Sequence, residues 1–382
     1  DYYEQYAEAD VKGEKADLAL SDAVLLRLGL GQEAEALRDA EKFRKNYGAS
    51  KQSQTASIAF AIGAHYAEKG DWDNARKNLS GNMSVIDKAS PDIQVQAHAT
   101  LGRVYAKIPQ GDKLAKNEYA KVRNIWGDGS KAVEAIRAAH PGDADKAIGK
   151  ALNAVGEAIF YNADEMKVAT VDQIKFPIYV GNGDMKSVKA HIDTKVKGWL
   201  EKKKPAIEKA EAEYKKIVDL QPAPPPKWVI AAGSRVGLMW GNFVDEFRAA
   251  PIPSNIKSDA ELRGAYYDGL DGASEPIKSG RAKPALQTCL TYSVKFQYFD
   301  DYSRSCEVWL AKNYKGEYHV VDELRGAPTL VNSTLDEQNP PLLIGGQFWH
   351  PPSAAPEKTE EPKDAPKDAK TDKKADPKKG GR

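Results

Sequence analysis

A pattern of small and large residues returns at a fixed interval in the first third of this 382-residue chain, and it limits the fold more than any other feature. In IAFAIGAHYAEKGDWDNARKNL (58–79), Gly63 lets two helices approach closely and Tyr66 fills the space one turn later. Gly70 and Asp71 end the first helix and open the turn. Ala75 falls where the second helix crosses the first, and Leu79 continues that buried stripe. Small residues at a crossing with large ones beside them are what ridges-into-grooves packing needs. The register returns 39 residues on, where Gly102 and Tyr105 repeat Gly63 and Tyr66. One extra turn residue there moves the roles of Ala75 and Leu79 to Ala115 and Tyr119. It also returns 39 residues back, where Gly31 and Ala36 match Gly70 and Ala75. Three units at one spacing predict an all-α solenoid of helix pairs.

Each unit reads like a tetratricopeptide repeat (TPR). The usual TPR period is about 34 residues, so these helices should run about a turn longer. A weaker fourth unit is ALNAVGEAIFYNADE, with Gly156 in the role of Gly102. The surplus spacing before it lies in 126–146 and predicts a short extra helix. Its second helix is delayed to 197–220, past an irregular insertion near 164–196 that includes VDQIKFPIYVGNGDMKSV, either a small hairpin or irregular chain. The repeats thus occupy residues 1–220. Tyr2, Tyr3 and Tyr6 resemble the last turn of a second helix, and a solenoid that begins on half a unit has an uncovered apolar face. More repeats are therefore expected before Asp1.

Residues 221–227 (QPAPPPK) read as a stiff proline linker. A helical C-terminal cap follows over 228–325, opening with WVIAAGSRVGLMWGNFVDEF, whose apolar spacing and Gly233/Gly237 suit a closely packed core helix. Ser258 and Glu261 form the pattern of a capping box. Aromatic residues are dense from Tyr266 to Tyr318 and are expected mainly to close the solenoid end. Cys289 and Cys306 flank a predicted helix-to-helix turn near Phe299–Asp301, which leaves two readings open, a disulfide or two buried thiols. Residues 326–352 read as an extended strap. The remaining 353–382 is Pro, Lys, Asp and Glu without an apolar anchor, and is expected to be a disordered charged tail.

Charge and motif content narrow the function. Lys+Arg (56) and Asp+Glu (55) nearly cancel to a net charge of +1, which lacks the basic surplus of a nucleic-acid footprint. No run approaches the roughly 20 apolar residues that cross a bilayer, so no transmembrane segment is expected. The opening DYYEQYAEAD shows no leader, which points to a removed leader or, in preference, a piece of a longer protein. The six histidines have no ligand spacing, and GNGD (181–184) lacks the lysine and spacing of a phosphate loop. No metal, no cofactor and no catalytic constellation is expected, even in 160–200, the least repeat-like stretch. The chain reads as a protein that binds other proteins, not an enzyme. TPR units line their groove with the first helix of each pair, which makes Phe60, Arg103, Lys107, Asn153, Phe160 and Tyr161 the partner-binding candidates. TPR domains that hold a chaperone's C-terminal carboxylate carry Asn one residue after the small-pair Gly. Ala64, Arg103 and Glu157 stand there instead, against that partner class. Arg103 and Lys107, one turn apart, are placed either to grip an acidic peptide or to form a solvated basic face.

Within 260–335, AYYDGLDGASEP and ALQTCLTYSVKFQYFDDYSRSCEVWLAKNYKGEYHVVDELRGAP resemble the C-terminal region of TPR proteins of the myxobacterial adventurous gliding motility machinery. The resemblance implies a periplasmic or outer-membrane-associated scaffold that bridges components of a cell-envelope complex. An oxidising periplasm would also favour the Cys289–Cys306 bond. The alternative function is a periplasmic assembly or chaperone-like factor that holds client peptides in the TPR groove.

Overall fold

The computed structural model describes residues 2–320 and the short stretches 342–344 and 347–349. The chain divides into two units, residues 1–320 and 321–382. In the second, β1 (Leu342–Ile344) and β2 (Gln347–Trp349) pair antiparallel, with Leu343 opposite Phe348. The rest of the expected strap, the last residues of the expected cap and the tail over 353–382 lie outside the described residues.

The first unit is all-helical among its described residues. Its first seven helices are α1 (Tyr2–Ala9), α2 (Ala16–Gly29), α3 (Glu33–Tyr47), α4 (Gln52–Glu68), α5 (Trp72–Ile86), α6 (Pro91–Lys107) and α7 (Asp112–Trp126). From α2 onward they pack as successive pairs, α2 with α3, α4 with α5 and α6 with α7. The pairing follows from the repeated residues. A Cβ on Gly63 would lie 2.4 Å from Leu79 Cδ2, so only glycine lets α4 and α5 meet there. At the matching crossing, a Cβ on Gly102 would lie 3.1 Å from the Tyr119 ring. Ala36, Ala75 and Ala115 are fully buried at the three crossings. Gly31 and Gly70 take positive φ (71° and 76°) at the turns, and Asp71 caps α5 by accepting from Asn74 N at 3.1 Å.

The spacing then changes. The short α8 (Ser130–Ala139) lies between α7 and the long α9 (Ala144–Ala169), which packs against α6 and α7. Residues 170–196 contain a 3₁₀ turn (Val171–Gln173), an extended stretch, α10 (Met185–His191) and a wide turn that leads into α11 (Lys197–Val218). No hairpin forms in this stretch. The buried Lys203 ammonium instead anchors it by donating to the Val171 and Ile174 carbonyls at 3.0 and 2.9 Å. α11 packs on α9, so the delayed partner is where the sequence places it.

Residues 221–227 do not act as a spacer, because α12 (Pro226–Arg248) begins inside them and packs at once on α9 and α11. α12 is a core helix, with Trp240 and Phe243 buried. One face of it is a glycine ridge. A Cβ on Gly233 would meet the Ala285 carbonyl at 2.8 Å, on Gly237 the Leu286 Cγ at 2.3 Å, and on Gly241 the Trp309 Nε1 at 2.5 Å. That ridge seats α15 (Lys283–Phe296) and α16 (Asp301–Asn313). One hydrophobic core runs from Val95 to Ala282, so the later helices share an interior with α6 and α7, while α1–α5 bury their apolar residues mainly in separate clusters.

α14 (Ala260–Ile277) packs on α12, and the short α13 (Ser254–Ser258) packs on α14. The N-cap of α14 is Asp259, which accepts from Glu261 N and Leu262 N, and not Ser258. Ser258 is still within α13, where its hydroxyl donates to the Asn255 carbonyl at 3.1 Å. The aromatic residues divide. Tyr292, Tyr302 and Trp309 pack on the core, whereas Tyr267, Phe296 and Phe299 remain exposed.

Candidate functional site

The first members of successive pairs, α2, α4 and α6, together with α9, line one open cavity of about 290 Å³. Its apolar surface comes from Leu25, Phe60, Ala61 and Ile93, and Leu25 is 48% exposed. One wall carries Lys146 and Lys150, exposed and one turn apart on α9. Neither forms an ion pair among the described residues. His140 Nε2 lies 3.2 Å from Oδ1 of the buried Asp92, which ties the approach to α9 onto α6 at the rim of the cavity. The result is a trough with an aliphatic and aromatic floor and a cationic edge, suited to an extended or helical segment bearing apolar and acidic side chains.

The groove candidates read from the sequence do not converge. Phe60 lines the cavity, half-buried. Arg103 does not reach out to a peptide. Its guanidinium makes a bidentate pair with Glu157, Nε to Oε1 at 2.9 Å and Nη2 to Oε2 at 2.6 Å. The Tyr119 hydroxyl also donates to Glu157 Oε1 at 2.9 Å. This network holds α6, α7 and α9 in register. The bond to Glu157 raises the Arg103 pKa, and burial, reinforced by the Glu157 charge, pushes the Tyr119 hydroxyl well above its usual range. Lys107, one turn beyond Arg103, is exposed.

Asn153 is exposed in a different depression, beside Pro224–Pro226, Phe296 and Tyr298. Phe160 is a core residue, its ring 5.6 Å from Tyr214, 5.2 Å from Trp228 and 5.7 Å from Tyr302. Tyr161 is half-buried on the Tyr119 ring, 4.4 Å between centroids. The cause is the rotation of α9. A Cβ on Gly156 would lie 2.7 Å from Pro225 and 2.8 Å from Trp228, so the glycine faces α12 and turns Phe160 inward. Lys146 and Lys150 were missed because the sequence pattern becomes recognisable only at Ala151, two turns after α9 begins.

Polar side chains at two other helix joints also pair. His98 lies between Glu118 Oε2 (2.5 Å) and Asp87 Oδ1 (2.9 Å). Burial acts to raise the Glu118 pKa, but the bonds to His98 and Lys121 outweigh it and hold the carboxyl below its usual value. Asp164 accepts from Tyr214 and pairs with Arg235 at 3.1 Å, and Arg235 lies over the Tyr302 ring. These are joints between helices. Cys289 and Cys306, both fully buried, form a disulfide that links α15 to α16. Among the described residues, no group of three or more His, Cys, Asp or Glu is arranged to hold a metal ion. No described helix is long and apolar enough to cross a membrane.

Comparison of the chain with protein-family models, with curated proteins and with solved structures gives no match in any of the three.

Proposed function

We propose that the chain is a TPR-like α-solenoid that binds other proteins in the trough formed by α2, α4, α6 and α9. One observation carries this reading. The first helices of successive pairs contribute to one open cavity whose floor (Leu25, Phe60, Ile93) is apolar and whose edge holds Lys146 and Lys150, neither in an ion pair among the described residues, beside Asp143. Solenoids present such surfaces to extended partners. The ion pairs Arg103–Glu157, His98–Glu118 and Arg235–Asp164 join helices to one another and hold the trough's framework in place.

The proposed setting is a cell-envelope complex of the adventurous gliding motility type, with the chain as a periplasmic scaffold. The resemblance over 260–335 and the Cys289–Cys306 disulfide support this setting, since an oxidising compartment preserves such a bond. A crosslinking pull-down of the tagged protein from its native cell tests it. A fixed set of inner- and outer-membrane motility components is expected. A scatter of unrelated clients would replace the scaffold with an assembly factor, and only cytosolic partners would overturn the envelope assignment.

A further inference from the structure

The extended stretch between Val171 and α10 is held at many points yet presents bare aliphatic side chains. Phe176 packs edge-on against Trp199 at 4.9 Å. The Tyr179 hydroxyl bonds to Ser187 Oγ at 2.8 Å and accepts from Gly183 N at 2.9 Å, and its ring rests on His191. The Gly183 carbonyl accepts from Ser254 N at 2.8 Å, which fastens the stretch to α13. Asp184 caps α10 through Ser187 N at 2.9 Å. With Phe176 and Tyr179 turned toward the protein, Ile178 is 83% exposed and Val180 95% exposed, and the neighbouring Met185 is 47% exposed. Singly exposed apolar side chains are common on protein surfaces, but Val180 and Ile178 are the two most exposed large aliphatic residues among those described, and an anchored backbone holds them there side by side with Met185.

The surroundings are basic. Residues 174–197 contain Lys175, Lys186, Lys189, Lys195 and Lys197 against two acids, Asp184 and Asp193. All five lysines are exposed, and none forms an ion pair among the described residues. Asp184 is committed to its capping role. Lys257 on α13, also exposed and without an ion pair among the described residues, follows the Ser254 anchor by three residues. Five positive charges against two negative ones is a marked local surplus on a chain whose net charge is +1.

We infer that this loop is a docking surface for an anionic lipid bilayer. Ile178, Val180 and Met185 enter the interfacial region while the lysines meet the lipid phosphates. Apolar tips within a cationic surround combine the two terms that give peripheral membrane binding, buried aliphatic area and attraction to anionic headgroups. The charge surplus favours a negatively charged surface, and the isolated aliphatic tips favour one that accepts insertion without a shaped pocket. The inference does not depend on the trough.

Flotation of the purified full chain with vesicles tests it. We expect binding to vesicles of phosphatidylcholine and phosphatidylglycerol in equal parts, little binding to phosphatidylcholine alone, and weakening as salt is added. Ile178→Asp with Val180→Asp should weaken binding about tenfold or more, since burying one aliphatic side chain is worth about that factor. Lys175→Glu with Lys186→Glu and Lys189→Glu should remove the preference for phosphatidylglycerol. All five side chains are exposed, and an unchanged circular dichroism spectrum confirms that each variant is folded. Absence of binding by the wild-type chain, or binding that both variants retain, overturns the inference. So does a photocrosslinker at Val180 that yields in cells a protein adduct and no lipid adduct.

Discussion

Gly63 occupies a crossing where a single methyl group decides stability. Gly63→Ala gains about 1 kcal/mol of helix propensity, but its Cβ would sit 2.4 Å from the fully buried Leu79. Overpacking of that kind costs about 1–3 kcal/mol, so a net loss is expected in urea denaturation. Gly149→Ala is the control. It lies in α9 with no atom within 4 Å of the added Cβ, and should stabilise by about 0.5–1 kcal/mol. Asp39 gives a second prediction. It is fully buried, and burial together with the neighbouring Glu4 carboxyl pushes its pKa up to about 6. Glu4, bonded to Arg27 and to Asp39, is lowered to about 2, so the pair holds one proton between about pH 2 and about pH 6. In the unfolded chain Asp39 would titrate near 3.8. Between about pH 4 and pH 6 the folded state therefore binds more protons, and Asp39 makes stability fall as pH rises. The loss is on the order of 2 kcal/mol, and Asp39→Asn should flatten this part of the stability–pH profile. The glycine was readable because its chemistry repeats in Gly102. Asp39 was not, since a lone aspartate among the charges of α3 looks the same in sequence whether it is solvated or buried.

The helix pairs depend on few interactions that can be removed singly. Arg103→Met would leave the Glu157 carboxylate buried with only Tyr119 as partner, a loss on the order of 2 kcal/mol. Adding Glu157→Gln should recover part of it, and a double-mutant cycle in denaturant reads the coupling. The Cys289–Cys306 bond closes a separation of 17 residues between α15 and α16, so Cys289→Ser with Cys306→Ser should cost about 3 kcal/mol. The pairs α2/α3, α4/α5 and α6/α7 were legible because local turns and small-residue crossings define them. α9 was only half legible. Its partner α11 lies beyond an irregular insertion, and its face is turned by Trp228 and Pro225, residues far away in sequence. A pattern internal to α9 cannot report that rotation, so periodicity alone puts Phe160 in the groove and does not mark Lys146. The two readings of the cysteines were resolved only by the placement of α15 against α16.

Taken as one body, residues 1–320 join the earlier helices to the later ones where α12 packs on α9 and α11 within a core that begins at α6, and the glycine ridge of α12 then seats α15 and α16. The proline-rich 221–227 reads as a spacer by composition, yet the chain turns there and packs immediately, because Pro225 and Trp228 fit against Gly156. The all-α class followed from periodicity, while the position of the trough depends on how four helices from distant parts of the chain assemble. We propose that this trough, and not the outer helices, receives the partner. Site-specific photocrosslinking in the native cell tests it most directly, with the photoreactive residue at Phe60 on the trough floor or at Ser80, exposed on α5. Discrete protein adducts are expected from position 60, diminished by Lys146→Glu with Lys150→Glu, and none of these adducts from position 80. Equal adducts from both positions, or adducts from position 60 that the lysine substitutions leave unchanged, would contradict it.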